Sequence, residues 1–128
     1  MKHLAIVLIV LLLATTGAKA TSSLFCKAQE ENVGINLTIG SVVGEPVVEA
    51  ELYVGDKISS TMMPKNNIAV AQSFFDGDKR VLDISDSNFE RIIARLRLFI
   101  AIDEEKQISA GTLQIDGEGV FAVSCSGP

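Results

Sequence analysis

Residues 87–102 read SNFERIIARLRLFIAI, and two incompatible folds compete for this stretch. Ser87-Asn88-Phe89-Glu90 has the form of a helix capping box, and Phe89, Ile92, Ile93 and Leu96 recur at helical spacing. Ile92, Ala94, Leu96, Leu98, Ile100 and Ile102 instead alternate without a break. Successive side chains of an extended strand point to opposite sides, so this alternation gathers all six on one face. A helix from Asn88 would set Arg97 beside the apolar stripe and leave Leu98 to Ile102 without a role. The spacing therefore predicts a long strand, with a short helix near 88–95 as the alternative.

The same period of two runs outward in both directions. Val33, Ile35, Leu37 and Ile39 alternate with Gly34, Asn36 and Thr38, and Val48, Ala50, Leu52 and Val54 alternate with Val47, Glu49, Glu51 and Tyr53. Gly55-Asp56 supplies turn chemistry, and residues 56–66 show no clear period and are expected to include a loop. Asn67 to Phe75 reads as a strand, joined by the Asp76-Gly77 hairpin signal to Val81–Ile84. Ile108 to Ile115 and Val120 to Ser124 follow, separated by Asp116-Gly117-Glu118-Gly119. No strand–helix–strand spacing is present. The expected fold is all-β: an antiparallel β-sandwich or small β-barrel of about six to eight strands.

The chain has 128 residues, 11 Lys+Arg, 16 Asp+Glu and a single histidine. Lys2 and His3, the apolar run Leu4 to Ala14 and the small-residue triplet Ala18-Lys19-Ala20 form the three-part pattern of a secretory signal peptide. An 11-residue run is well short of the roughly 20 apolar residues that span a bilayer. Residues 1–20 are therefore expected to be a cleaved leader, and 21–128 a single secreted domain, periplasmic if the source is Gram-negative. Without Lys2 and Lys19, nine bases face sixteen acids, a net charge of −7. That balance argues against nucleic acid and anionic membrane as partners, which recruit clustered positive charge, and no stable membrane insertion is expected. His3 leaves with the leader, which excludes hydrolases built on a histidine base and histidine-ligated metal sites.

Export places the remaining two cysteines, Cys26 and Cys125, in an oxidising compartment. One pair allows one connectivity, closing a loop of about 100 residues and contributing roughly 4.7 kcal/mol in the chain-entropy model. The alternative is two inert buried thiols. There is no CxxC motif and no histidine to activate a thiol, so neither cysteine is read as a nucleophile.

On the strand reading, Arg91, Arg95, Arg97, Ile93 and Phe99 share the face opposite the core. Guanidinium groups bind carboxylates and phosphates in bidentate fashion, and Phe99 adds apolar area beside them. This is the composition of an interaction surface. Against it stands cross-strand pairing of the same arginines with Glu49, Glu51 or Asp83 on a solvated face. Acidic residues fall in the turns, but Asp83 to Glu90 lacks the calcium-loop pattern, so neither metal nor cofactor is expected. Paired carboxylates could hydrolyse glycosides without histidine. The absence of Trp and the lone Tyr53 argue against a sugar cleft, and the protein is read as non-enzymatic. Asn36-Leu37-Thr38 matches the N-glycosylation sequon, which matters only in a eukaryotic source.

Leu24-Phe25-Cys26, Phe75-Asp76-Gly77 and Val123-Ser124-Cys125-Ser126 resemble segments of small exported proteobacterial β-domain proteins of unassigned function. The resemblance covers these short segments only. It implies a periplasmic β domain with a disulfide joining its ends, and no functional residue. The sequence is therefore read as a non-catalytic secreted binding module contacting a protein or envelope component. The alternatives are an assembly subunit that uses an edge strand for β-augmentation and, third, a carboxylate-based hydrolase.

Overall fold

The computed structural model describes residues 22–29, 32–40 and 46–127. Every regular element in it is a strand. These are β1 (Ser22–Ala28), β2 (Val33–Ile39), β3 (Val47–Val54), β4 (Lys57–Ser60), β5 (Ile68–Asp76), β6 (Lys79–Asp86), β7 (Ile92–Asp103), β8 (Lys106–Ile115) and β9 (Gly119–Ser126). The expected signal peptide lies outside the described residues. No helix among the described residues is long and apolar enough to cross a membrane.

The strands form one antiparallel sheet in the order β4-β3-β2-β1-β9-β8-β7-β6-β5. The chain starts mid-sheet and works out to one edge. It then crosses to the other edge and returns, so that β9 pairs with β1. The sheet curls until its edges approach, giving a nearly closed barrel. Nine strands replace the expected six to eight, largely because β4 falls in residues 56–66, the stretch without a clear period. Its four residues, Lys57-Ile58-Ser59-Ser60, hold one apolar side chain, too few to display a period.

The interior follows from the alternation. Leu24 and Cys26 of β1, Ile35 and Leu37 of β2, Leu82 and Ile84 of β6, Ala94, Leu96 and Leu98 of β7, and Leu113 of β8 are all buried. They fill the barrel with side chains, as small barrels do. Gly111 faces Leu98 across the β7–β8 ladder, where a Cβ would strike the backbone carbonyl of Arg97. Only glycine allows that approach. Asp76-Gly77-Asp78-Lys79 makes the β5–β6 hairpin, with Gly77 at φ 51°, a left-handed turn conformation that glycine adopts without steric cost.

The short helix near 88–95 is not formed. Asp86 instead closes a tight loop, its amide donating to the carbonyl of Arg91 at 3.0 Å and its carboxylate accepting from the amide of Glu90 at 2.8 Å. Phe89 has φ 58°, outside the helical range. Local capping chemistry is thus spent on a turn. The strand from Ile92 wins because it buries Ala94, Leu96 and Leu98 together, which no helical stripe could do.

Nine alternating strands leave β4 and β5 running in the same direction, so the seam between them cannot be an antiparallel ladder. Paired backbone and side-chain hydrogen bonds stitch it instead. The Asn67 amide donates to the Ser60 carbonyl at 3.0 Å, and the Asn67 Oδ1 accepts from the Ser60 amide at 2.9 Å. Thr61 does the same against β3: its amide donates to the Ala50 carbonyl at 3.0 Å, and its Oγ1 accepts from the Ala50 amide at 3.1 Å. On the opposite side of the barrel, Cys26 and Cys125 sit directly across the β1–β9 ladder and form a disulfide with Cα atoms 4.0 Å apart.

Candidate functional site

The outer face of β7 is where the sequence places its candidate residues, and the ladder registers fix their neighbours. Arg95 stands between Asp83 of β6 and Gln114 of β8, Arg97 between Val81 and Thr112, and Phe99 between Lys79 and Ala110. Arg95, Arg97 and Phe99 therefore share one face, as the alternation requires. Arg91 precedes the strand. It lies in the loop before Ile92, beyond a register shift at Ile84/Ser85.

The three arginines have three different environments. Arg97 lies flat on the sheet. Its Nη2 donates to Asp83 Oδ1 at 2.8 Å, and its Nη1 donates to the carbonyls of Leu82 at 3.1 Å and Leu96 at 2.9 Å. With the Asp83 side chain only 16% exposed, this pair is partly desolvated and satisfied within the fold. It is the cross-strand neutralisation weighed for this face, carried by Asp83. Arg91 reaches Asp116 only at 4.0 Å with both side chains well exposed, a pair that contributes little. Arg95 is exposed and has neither hydrogen bond nor ion pair among the described residues.

Apolar side chains surround these cations. Phe99 is 61% exposed, Phe74 on the same face of β5 is 52% exposed, and Ile108 of β8 is 53% exposed. Val81, Ala101, Ala110 and Thr112 lie between them. The Ile100 amide donates to the Asp78 carbonyl at 2.8 Å; beyond it, among the described residues, β7 has only β8 for a partner. The hairpin tip carries a shallow depression of about 260 Å³ lined by Ala101, Ile102, Asp103, Lys106 and Ile108. Ile102 is 71% exposed there.

Phe74, Ile102 and Ile108 were not among the residues singled out from sequence. The signals for the first two were present. A Phe74-Phe75 doublet in a strand must place one ring on each face, and Ile100-Ala101-Ile102 is apolar in both phases of the alternation. A strand end that is apolar on both sides has outrun the core it packs against.

A second depression, of about 120 Å³, lies on the outer face of β1–β3 against Phe25, Asn36, Thr38, Glu49, Glu51 and Met62. Thr38 Oγ1 donates to Glu49 Oε2 at 3.3 Å. Asn36 is half-buried within this depression. Among the described residues, no three Asp, Glu, Cys or His side chains converge as metal ligands would. The chemistry of the β7 face is that of recognition: a guanidinium without a partner among the described residues, available for an acidic group, and aromatic and aliphatic area beside it. No protein family, curated protein or solved structure matches this chain.

Proposed function

We propose that the protein is a non-catalytic binding module acting outside the cytoplasm, where its outer β7 face contacts a protein or a component of the cell envelope. One observation carries this reading. Arg95, exposed and without an acidic partner among the described residues, shares a strand face with Phe99, 61% exposed. A charged group that can be desolvated against a partner, beside a large rigid apolar side chain, has the composition of an interface hot spot. Arg95 would supply the charge-assisted hydrogen bond to a carboxylate or phosphate, while Phe99, Phe74 and Ile108 supply apolar contact. Arg97, held by Asp83, shapes the face rather than binding, and Arg91 stands at its margin. The Cys26–Cys125 disulfide supports an oxidising, extracytoplasmic location.

The test is capture from native envelope extract on immobilised protein, read by mass spectrometry, with an Arg95→Ala/Phe99→Ala variant alongside. The variant is expected to lose the specific partner, and high salt to weaken capture by the wild type. A partner retained equally by both proteins rejects this face. The assembly reading draws separate support from the edge of β5, which among the described residues has β6 as its only ladder partner.

A further inference from the structure

We infer that the β5 edge from Gln72 to Asp76 is a self-association site, pairing antiparallel with the same segment of a second copy. This inference is independent of the β7 face. β5 ends the sheet and β4 stops at Ser60, so among the described residues β3 and β4 approach that side of β5 but no strand forms a ladder with it. Residues 68–75, IAVAQSFF, carry no charge and no proline, and are followed by Asp76. Exposed sheet edges are normally blunted by charge, proline, bulges or cover, because their free amide and carbonyl groups template another strand. Here two such devices are present, the charge of Asp76 at the C-terminal end and a bulge on the N-terminal side. The β5–β6 register shifts at Ala71, between Val70 and Gln72, and this bulge interrupts the edge on its N-terminal side. What remains beyond it is a regular five-residue edge with Gln72, Phe74 and Asp76 exposed.

The side chains select the occupant. In two-fold antiparallel pairing centred on Phe74, the outer face would set Phe74 against Phe74 of the other copy, and Gln72 against Asp76 on both sides of the axis. The exposed ring gains an aromatic partner and each carboxylate meets an amide donor, so no like charges oppose. Centring on Ser73 would carry Asp76 past the bulge, opposite Val70. Centring on Phe75 would set Phe74 against a carboxylate. The register that suits every side chain is the self-complementary one, as an isologous interface demands.

Because residue 74 faces itself across the axis, charge reversal tests the register directly. Phe74→Lys and Phe74→Glu are made in the full-length protein, checked for folding by circular dichroism, and studied by sedimentation and native mass spectrometry. The wild type is expected to dimerise with little salt dependence. Each variant alone is expected to be monomeric, and an equimolar mixture at low salt to recover a one-to-one heterodimer. In the wild type, amide exchange at Gln72–Asp76 should slow as concentration rises, while exchange at Ala101–Ile102 stays constant. A monomeric wild type at every attainable concentration overturns the inference. So do a dimer that survives either substitution, folded variants that fail to pair in the mixture, and β5 exchange that ignores concentration.

Discussion

Removing the disulfide should cost the fold about 5 kcal/mol, most of it through the unfolded chain. Cys26 and Cys125 are 99 residues apart in sequence, so the bond closes nearly the whole domain into a loop. A loop of that size corresponds to about 4.7 kcal/mol of denatured-state entropy at 25 °C. Alanine is the better replacement, because Cys26 is fully buried and a serine hydroxyl there would need a partner. Lost sulfur contacts add roughly 1 kcal/mol at most. Urea unfolding, followed by far-ultraviolet circular dichroism, measures the change. At a slope of about 2 kcal/mol per molar, the midpoint of Cys26→Ala/Cys125→Ala should fall by about 2.5 M. Thiol reduction of the wild type supplies the control, since it cuts the cross-link and leaves the side chains in place. It should give nearly the same shift, with a steeper slope as the freed chain expands. Small domains hold only about 5–15 kcal/mol in total, so either treatment should leave the protein marginal. A midpoint shift below about 1 M in both experiments would refute the loop-closure account. It would mean that the unfolded chain retains enough order to hold its ends together without the bond.

The two strand arginines should separate in the same assay. Arg97→Ala removes the Asp83 pair and two carbonyl contacts, and should cost about 1 kcal/mol after allowance for solvent at the guanidinium. Arg95→Ala should stay within about 0.5 kcal/mol of wild type. Gly111→Ala drives a methyl into the Arg97 carbonyl and should destabilise by about 2 kcal/mol or more, measured as a lowered urea midpoint. Asn67→Ala leaves the Ser60 amide without its side-chain acceptor and should cost about 1 kcal/mol, with amide exchange at Ser60 accelerated.

The alternation of β7 was readable because a twelve-residue strand with a filled core on one side and water on the other must repeat every second residue. The cysteine pairing was readable by elimination. β4 was not, since Ser60 is buried as a hydrogen-bonded hydroxyl rather than as an apolar side chain. The fate of the arginines lay beyond one-dimensional reasoning. Arg95, not Arg97, is directly opposite Asp83 in the register, yet Arg97 reaches Asp83 along the diagonal while also donating to two carbonyls. Which of two equivalent cations a carboxylate takes depends on the twist of three strands, and no spacing rule encodes that. Phe99 behaved as its phase required, but its neighbours Phe74 and Ile108 come from other strands and join it only through the sheet.

The ring of strands has a further consequence for how the polypeptide could be rewired. The start of β1 and the end of β9 lie side by side, with Gly127 packed against the Ser23 carbonyl. A circular permutant of residues 22–127, tethered there by a short flexible linker and opened within residues 61–67, would begin with β5 and finish with β4. Each strand would then follow its spatial neighbour in an unbroken zigzag, and the most distant pairing in the chain would become a local hairpin. Such a permutant should reach the native state faster than the parent when both are reduced, since local closures carry less entropy.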